Sequence, residues 1–282
     1  MEKKHLIIPI FVPHLGCPNN CIFCDQKSIS GQTKQVTAED VKKIVEEHLK
    51  MFEDQKAYKE IAFFGGSFTA IDVEKQIELL EAAYEYIKAK KINSIRISTR
   101  PDYIDKEILK RLKKYKVKTI ELGVQSSNNF ILERAKRGHT FEDVKKASKL
   151  IRRHRFILGH QMMIGLPESG LPDDMKTAED LAKLKPKIMR IYPVLVIKGT
   201  ELEKEYNEGK YRPLNVPQAI EMCKDVYYYL NKKKIKVIRI GLQTTDLICD
   251  PKIEGSTVVA GPYHEAFRQL VEDRNVVWQY IR

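Results

Sequence analysis

The chain has 282 residues, with 50 lysines and arginines against 38 aspartates and glutamates, a formal net charge of +12. That length is enough for one α/β barrel, while no apolar run reaches about eighteen residues and the start Met1-Glu2-Lys3-Lys4 leads into a strand-like run too short for a secretory leader, so a cytoplasmic protein with no membrane partner is expected. Five cysteines, an odd number, argue against a disulfide framework, and the positive balance suits either a polyanionic partner or a Lys/Glu-rich, heat-tolerant surface such as Lys75 to Lys91.

In chain order, the apolar run Leu6 to Val12 predicts a strand leading into a cysteine-rich loop. Thr37-Ala38-Glu39-Asp40 reads as a helix start, a capping hydroxyl with acids in the first turn, and Val41, Ile44, Val45, Leu49 and Phe52 follow at helical spacing. Ile61 to Phe64 predicts a second strand and about 72–90 a long helix. Runs at 95–98, 119–124, 156–164 and 188–196 then alternate with helical patterns near 105–114, 128–153, 173–184 and 217–232, and a seventh run covers Lys236 to Ile240. Such alternation implies a parallel sheet with right-handed crossovers, either a barrel or a doubly wound sheet. The irregular stretch 198–216 reads as a substrate-side loop. After Gly241 the pattern weakens into a tail packing on the barrel, with one last helix near 263–272.

Three of the cysteines, Cys17, Cys21 and Cys24, fall within eight residues. Thiolates at this spacing can converge on one soft metal centre, with one coordination position left without a protein donor. A zinc site completed by His14 or Asp25, unrelated core thiols, and an iron-sulfur cluster with an open iron all remain open at this level. Cys223 and Cys249 read as buried thiols. Gly65-Gly66, at the end of the second run, would let the backbone approach a ligand without interference from a Cβ, although a plain turn uses the same pair. Polar residues also close later runs, in Ser98-Thr99-Arg100-Pro101-Asp102, Glu121-Leu122-Gly123-Val124-Gln125-Ser126 and His160-Gln161-Met162-Met163-Ile164. Clustering at successive strand ends is how α/β barrels build active sites, and strand termination is the plainer reading of each residue alone.

With Phe23 directly before the third cysteine, the spacing resembles the signature of radical S-adenosylmethionine (SAM) enzymes. Gly65-Gly66-Ser67 looks like that family's GGxP-type motif, with Phe68 where proline is more usual. Gly123-Val124-Gln125-Ser126, Arg137-Gly138-His139-Thr140, Met163-x-Gly165-Leu166-Pro167 and Ile191 to Thr200 resemble the radical-SAM part of the Elongator catalytic subunit and, more distantly, oxygen-independent coproporphyrinogen oxidases, over about residues 8 to 245.

The resemblance implies an open parallel (β/α)6 partial TIM barrel over 1–245, with 246–282 as a short extension that ends without a closing signal. It implies that Cys17, Cys21 and Cys24 hold three irons of a [4Fe-4S] cluster and that SAM chelates the fourth. Phe11 would lie near cluster and adenine, the Phe23 main chain would contact adenine, and Gly65, Gly66 and Ser67 would meet the methionyl amino group. Gln125, Arg137 and Gln161 would surround the ribose and carboxylate. Ser98 stands where relatives often carry Glu, which leaves those hydrogen bonds either missing or supplied by Thr99 or Arg100. His139, His160, Tyr192 and Lys198 are substrate-side candidates. The implied chemistry is reductive cleavage of SAM, fed by an external electron donor, to a 5′-deoxyadenosyl radical, with a transfer RNA base as the implied substrate. Acetyl transfer is not carried over, because nothing after residue 245 is long enough for the acetyltransferase domain of Elongator-type proteins. A non-catalytic metal-binding RNA protein and a redox or scaffold protein are the competing classes.

Overall fold

Runs of β-branched residues that alternate with amphipathic helices fold by burying both faces of a parallel sheet. The computed structural model describes residues 5–12, 21–25, 35–52, 56–242 and 244–273. Seven parallel strands follow the order β1-β2-β3-β4-β5-β6-β8 in one sheet, where β8 is the seventh run of the sequence. Chain contacts group the described residues into two units, 5–12, 35–52, 56–123 and 146–158 in the first and 21–25, 124–145, 159–242 and 244–273 in the second.

The first unit carries β1 (His5–Val12), α1 (Ala38–Met51), β2 (Tyr58–Gly65), α2 (Val73–Lys88), β3 (Ser94–Thr99), α3 (Lys106–Lys114) and the body of β4 (Val117–Gln125). The helix starts are capped as side-chain chemistry predicts. Thr37 and Asp40 form a reciprocal capping box, and Asp72 and Asp105 accept from the main-chain N–H groups of Glu74 and Ile108. Ile8, Ile10, Ile61, Phe63, Ile95, Ile97, Ile120 and Leu122 alternate along the strands onto one buried face, and Leu79, Leu80, Leu109 and Leu112 are the buried side of α2 and α3.

The other face is charged. Arg96 on β3 bridges Glu60 on β2 at 2.7 Å and Glu121 on β4 at 2.6 Å, all three nearly inaccessible to solvent. The Ser94 hydroxyl donates to Glu60 at 2.8 Å and His5 Nε2 lies 3.1 Å from the same carboxylate. Desolvation pushes Glu60 up, but the His5 and Ser94 hydrogen bonds and the Arg96 charge outweigh it and hold the carboxyl below its usual range.

The second unit carries α4 (Asn129–Arg134), the start of α5 (Phe141–Arg153), most of β5 (Ile157–Ile164), α6 (Leu171–Lys183), β6 (Ile188–Pro193), β7 (Val196–Ile197), α7 (Glu201–Asn207), α8 (Val216–Lys232), β8 (Lys236–Ile240), β9 (Val258–Ala260) and α9 (Phe267–Glu272). β7 and β9 form a separate antiparallel pair.

Three expectations are corrected here. The helical pattern over 128–153 is two helices, because Lys136 and Gly138 adopt left-handed backbone, φ 52° and 67°, and turn the chain between α4 and α5. The run 188–196 stops at Pro193, which has no N–H for the ladder, and resumes as β7. The stretch 198–216 is not wholly irregular: it holds α7, capped by Thr200, whose hydroxyl accepts from the Glu203 N–H at 3.2 Å. Among the described residues no helix is long and apolar enough to cross a membrane.

Candidate active site

The first unit gathers its predicted site residues at the C-terminal ends of β1, β2 and β3. Gly65 has φ +108°, and a Cβ there would stand 2.3 Å from the Val12 carbonyl oxygen, so only glycine fits. The Gly66 N–H donates to the same oxygen at 3.3 Å. Phe11, 37% exposed, pairs in register with Phe64, their ring centroids 6.3 Å apart.

Behind the glycines runs a buried hydroxyl chain. Ser67 Oγ lies 2.8 Å from Thr99 Oγ1, Thr99 Oγ1 lies 2.5 Å from Thr69 Oγ1, and the Arg100 N–H donates to Ser67 Oγ at 3.2 Å. Ser67 and Thr99 thus stiffen the loop from below. The Arg100 guanidinium forks onto Asp102 at 3.0 and 2.9 Å. Ser98 is buried on the same side of β3 as Arg96. Phe68, in the place of the more usual proline, is buried with its ring 4.9 Å from that of Phe63, so it serves as a core anchor for the turn.

The second unit holds the described part of the cysteine loop. Cys21 to Cys24 make a turn closed by the Cys24 N–H on the Cys21 carbonyl at 3.0 Å. Ile22 is clipped on both sides: its N–H donates to the Ala135 carbonyl at 3.3 Å, and its carbonyl accepts from the Leu202 N–H at 2.8 Å. Its side chain is buried among Ile131, Ala135, Leu166, Val194 and Leu202, with Phe23 packed on the cluster. The α4–α5 turn carries Arg137, whose Nη1 donates to Cys21 Sγ at 3.1 Å. His139, 5% exposed, lies in the same turn. Cys17 and His14 lie outside the described residues. Among the described residues no three His, Cys, Asp or Glu side chains gather as a metal set.

The remaining candidates in this unit differ in character. Gln125 ends β4 with φ +75°, a left-handed conformation unusual for its type, and its Oε1 is buried without a hydrogen-bond partner. Gln161 on β5 is half-buried and in register with Arg190, and Met163 with Tyr192; the Arg190 Nη1 donates to the Tyr192 hydroxyl at 3.4 Å. His160 points to the opposite side of β5, fully buried, and desolvation pushes its pKa down to about 3, which keeps it neutral and suits a packing role. The Lys198 side chain is exposed while its N–H donates to the Thr257 carbonyl at 2.8 Å.

Two groups escaped the sequence reading. Asp174, buried at the start of α6, accepts from the Gly165 N–H at 3.1 Å and the Ser169 hydroxyl at 2.7 Å, and the Tyr211 hydroxyl donates to the Gly165 carbonyl at 2.7 Å. Burial pushes the Asp174 pKa up to about 7. The Asp173-Asp174 pair had the look of ordinary helix-start acids. The Glu60–Arg96–Glu121 ladder had a visible signal, a charge in the middle of each of three strand runs, but its pairing needs the register.

The donor set fits an anionic cluster and a polar cofactor. A guanidinium on the Cys21 sulfur suits a thiolate ligand, and the orphaned Gln125 oxygen suits a hydroxyl or amino donor from outside the protein. Residues 11–184 match the Radical SAM superfamily and residues 186–275 the Radical_SAM C-terminal domain. An uncharacterised protein of Methanocaldococcus jannaschii is 33% identical over 245 residues, 82% of this chain and 73% of its own. A tRNA uridine(34) acetyltransferase of the same organism is 34% identical over 183 residues, 58% of this chain and 34% of its own, so the chain spans about a third of that protein. The solved structure of archaeal Methanocaldococcus infernus Elp3, lacking its residues 1–46, superposes with TM-score 0.75 at 24% identity, covering 96% of this chain and 62% of that one, and shares the open partial-barrel fold.

Proposed function

Because the chain belongs to the radical SAM superfamily and is a radical SAM enzyme with a [4Fe-4S] cluster and SAM as cofactors, we propose that Cys17, Cys21 and Cys24 are the cluster ligands and that the substrate is a transfer RNA base in an exposed loop. When bound and reduced by an external electron donor, the cluster with SAM supplies a 5′-deoxyadenosyl radical that takes a hydrogen atom from the substrate, with methionine released.

The protein's part is orientation and shielding. In the first unit, the main chain of Gly65 and Gly66, held against Val12, would meet the methionyl end of SAM, with Ser67 and Thr99 as the scaffold below and Phe11 as an apolar wall. In the second unit, Phe23 would offer its main chain to adenine, Gln125 and Gln161 would offer amide groups to the ribose and carboxylate, and Arg137 would offset negative charge at the Cys21 sulfur. Neutral His160 is no proton donor at physiological pH, and the chemistry demands no side-chain acid or base. His139, Tyr192 and Lys198 remain the substrate-side candidates.

The observation that carries the cluster assignment is the Cys21–Cys24 turn, clipped at Ile22 and met by Arg137. Support for RNA comes from the relative named as a tRNA uridine(34) acetyltransferase and from the net charge of +12. A base in a single-stranded loop can be unstacked toward a radical at lower cost than one in a duplex. Acetyl transfer is no part of this proposal. The test is anaerobic reconstitution followed by a SAM-cleavage assay with and without unfractionated transfer RNA. Formation of 5′-deoxyadenosine, stimulated by RNA, is expected. Cleavage stimulated by a neutral metabolite but not by RNA would remove the RNA assignment and leave the chemistry.

A further inference from the structure

The N-terminal edge of the first unit's strands, the end opposite Gly65 and Thr99, is lined by cations. The turns entering β3, β4 and β5 each place a basic residue in the left-handed region: Lys90 at φ 59°, Lys116 at φ 60° and Arg155 at φ 61°. Glycine or asparagine is the usual occupant of that position, and a longer side chain costs about 1 kcal/mol there. Hydrogen bonds join the turns into one band. The Lys113 ammonium donates to the His154 carbonyl at 3.2 Å, Lys118 donates to the Tyr58 hydroxyl at 3.2 Å, and Asn93 and Lys59 exchange main-chain and side-chain bonds at 2.9 and 2.7 Å.

Attraction to helix C-termini accounts for lysines in the last turns of α2 and α3. It does not account for Lys59, Lys116 and Lys118, which lie beyond the helices on strands and turns. Of the acids described along this edge, Glu46 offsets one of its cations, Lys91, at 3.5 Å, while Glu85 pairs with Lys42 at 3.2 Å, Glu81 accepts from the Tyr115 hydroxyl and Glu60 lies inside the buried ladder. One exposed apolar side chain, Met51, accompanies the cations, short of the apolar anchor that a membrane surface would need.

We propose that this edge docks the phosphate backbone of an RNA stem. The inference rests on the transfer RNA reading and adds a second contact to it. Strands of six to nine residues, at about 3.3 Å per residue, set the band roughly 20–30 Å from the glycine loop. It therefore positions RNA without touching the reacting base, as phosphate contacts do.

The test uses substitutions that keep the backbone content. Asparagine tolerates the left-handed conformation, so Lys90→Asn, Lys116→Asn and Arg155→Asn together remove charge with the thermal midpoint unchanged or raised. A control removes the same charge elsewhere in the unit, through Lys43→Asn, Lys106→Asn and Lys110→Asn. Binding of unfractionated transfer RNA to the reconstituted enzyme is followed by fluorescence anisotropy between about 50 and 200 mM salt. The edge variant should bind about tenfold more weakly with a slope of log K on log salt shallower by about 2–3, while the control shifts less than about twofold. RNA-free SAM cleavage should be equal in all three proteins. If the edge variant unfolds, Lys59→Gln with Lys118→Gln repeats the test.

Wild-type RNA binding that the edge variants keep in full would overturn this surface and leave the transfer RNA reading intact. No RNA binding by the wild type would overturn both. Binding to vesicles of phosphatidylcholine and phosphatidylserine in equal parts, lost in the edge variant while RNA binding persists, would reassign the band to a membrane.

Discussion

Arg137 places its Nη1 3.1 Å from Cys21 Sγ, so the turn between α4 and α5 brings a permanent positive charge to a sulfur of the cysteine loop. Hydrogen bonds and charge at cluster sulfurs tune the reduction potential. Arg137→Met should therefore leave iron content largely intact, lower the potential of the cluster, and slow SAM cleavage about tenfold or more, the scale of one lost charge-assisted hydrogen bond. A redox titration alongside an iron assay checks this. An unchanged potential would show that the contact orients the loop without tuning the cluster.

The cysteines should separate into two classes. Replacing Cys17, Cys21 or Cys24 by Ala should abolish most iron and sulfide after anaerobic reconstitution. Cys223→Ala should not, because burial pushes that thiol up and keeps it protonated inside α8. Its cost should be a small cavity, about 1 kcal/mol, read as a lower denaturation midpoint with full iron.

Gly65→Ala should fail structurally. Its Cβ would overlap the Val12 carbonyl at 2.3 Å in a backbone conformation with φ +108°, so β1 or the loop must shift. A loss of at least about 2 kcal/mol and weakened SAM binding by calorimetry are expected. A variant of wild-type stability and SAM affinity would mean that the turn is not held against β1 in solution.

Asp174 predicts a pH dependence. Its folded pKa, about 7, lies above the ordinary carboxylate value, so the folded protein binds the extra proton. The stabilisation is present at low pH and is lost as pH rises through roughly 4 to 7, on the order of a few kcal/mol in all. Asp174→Asn should flatten that part of the profile, so wild type minus variant should fall from about pH 4 to 7 in thermal denaturation. A parallel pair of curves would sink the assignment.

Removing Arg96 strands two buried carboxylates. Arg96→Met should cost about 3–5 kcal/mol at neutral pH, with partial recovery in acid as Glu60 and Glu121 take up protons, measured by chemical denaturation.

Much of this was readable from residues in order. Strand and helix alternation showed the parallel sheet because each run had its own period, and the Gly65-Gly66 pair stood out after a strand, while the need for glycine at 65 comes from the Val12 carbonyl that only the fold brings there. The sulfur contact of Arg137 was not, because it depends on a turn at Lys136 and Gly138 that lies inside a stretch of continuous helical periodicity. Glu60, Arg96 and Glu121 were visible as charges within strands, but a one-residue change of register would have separated them. Asp174 was hidden for a different reason. Acids are ordinary at a helix start, and only the folded path of Gly165 and Ser169 makes this one a buried anchor.

The clip at Ile22 has a temporal consequence. One of its two partners, Leu202, is made roughly 180 residues later, which at about 5–20 residues per second is roughly 10–40 s of synthesis. Cys21 and Cys24 leave the ribosome early and stay without their lasting surroundings until that residue arrives. The lasting surroundings of these two thiols are therefore completed only late in synthesis.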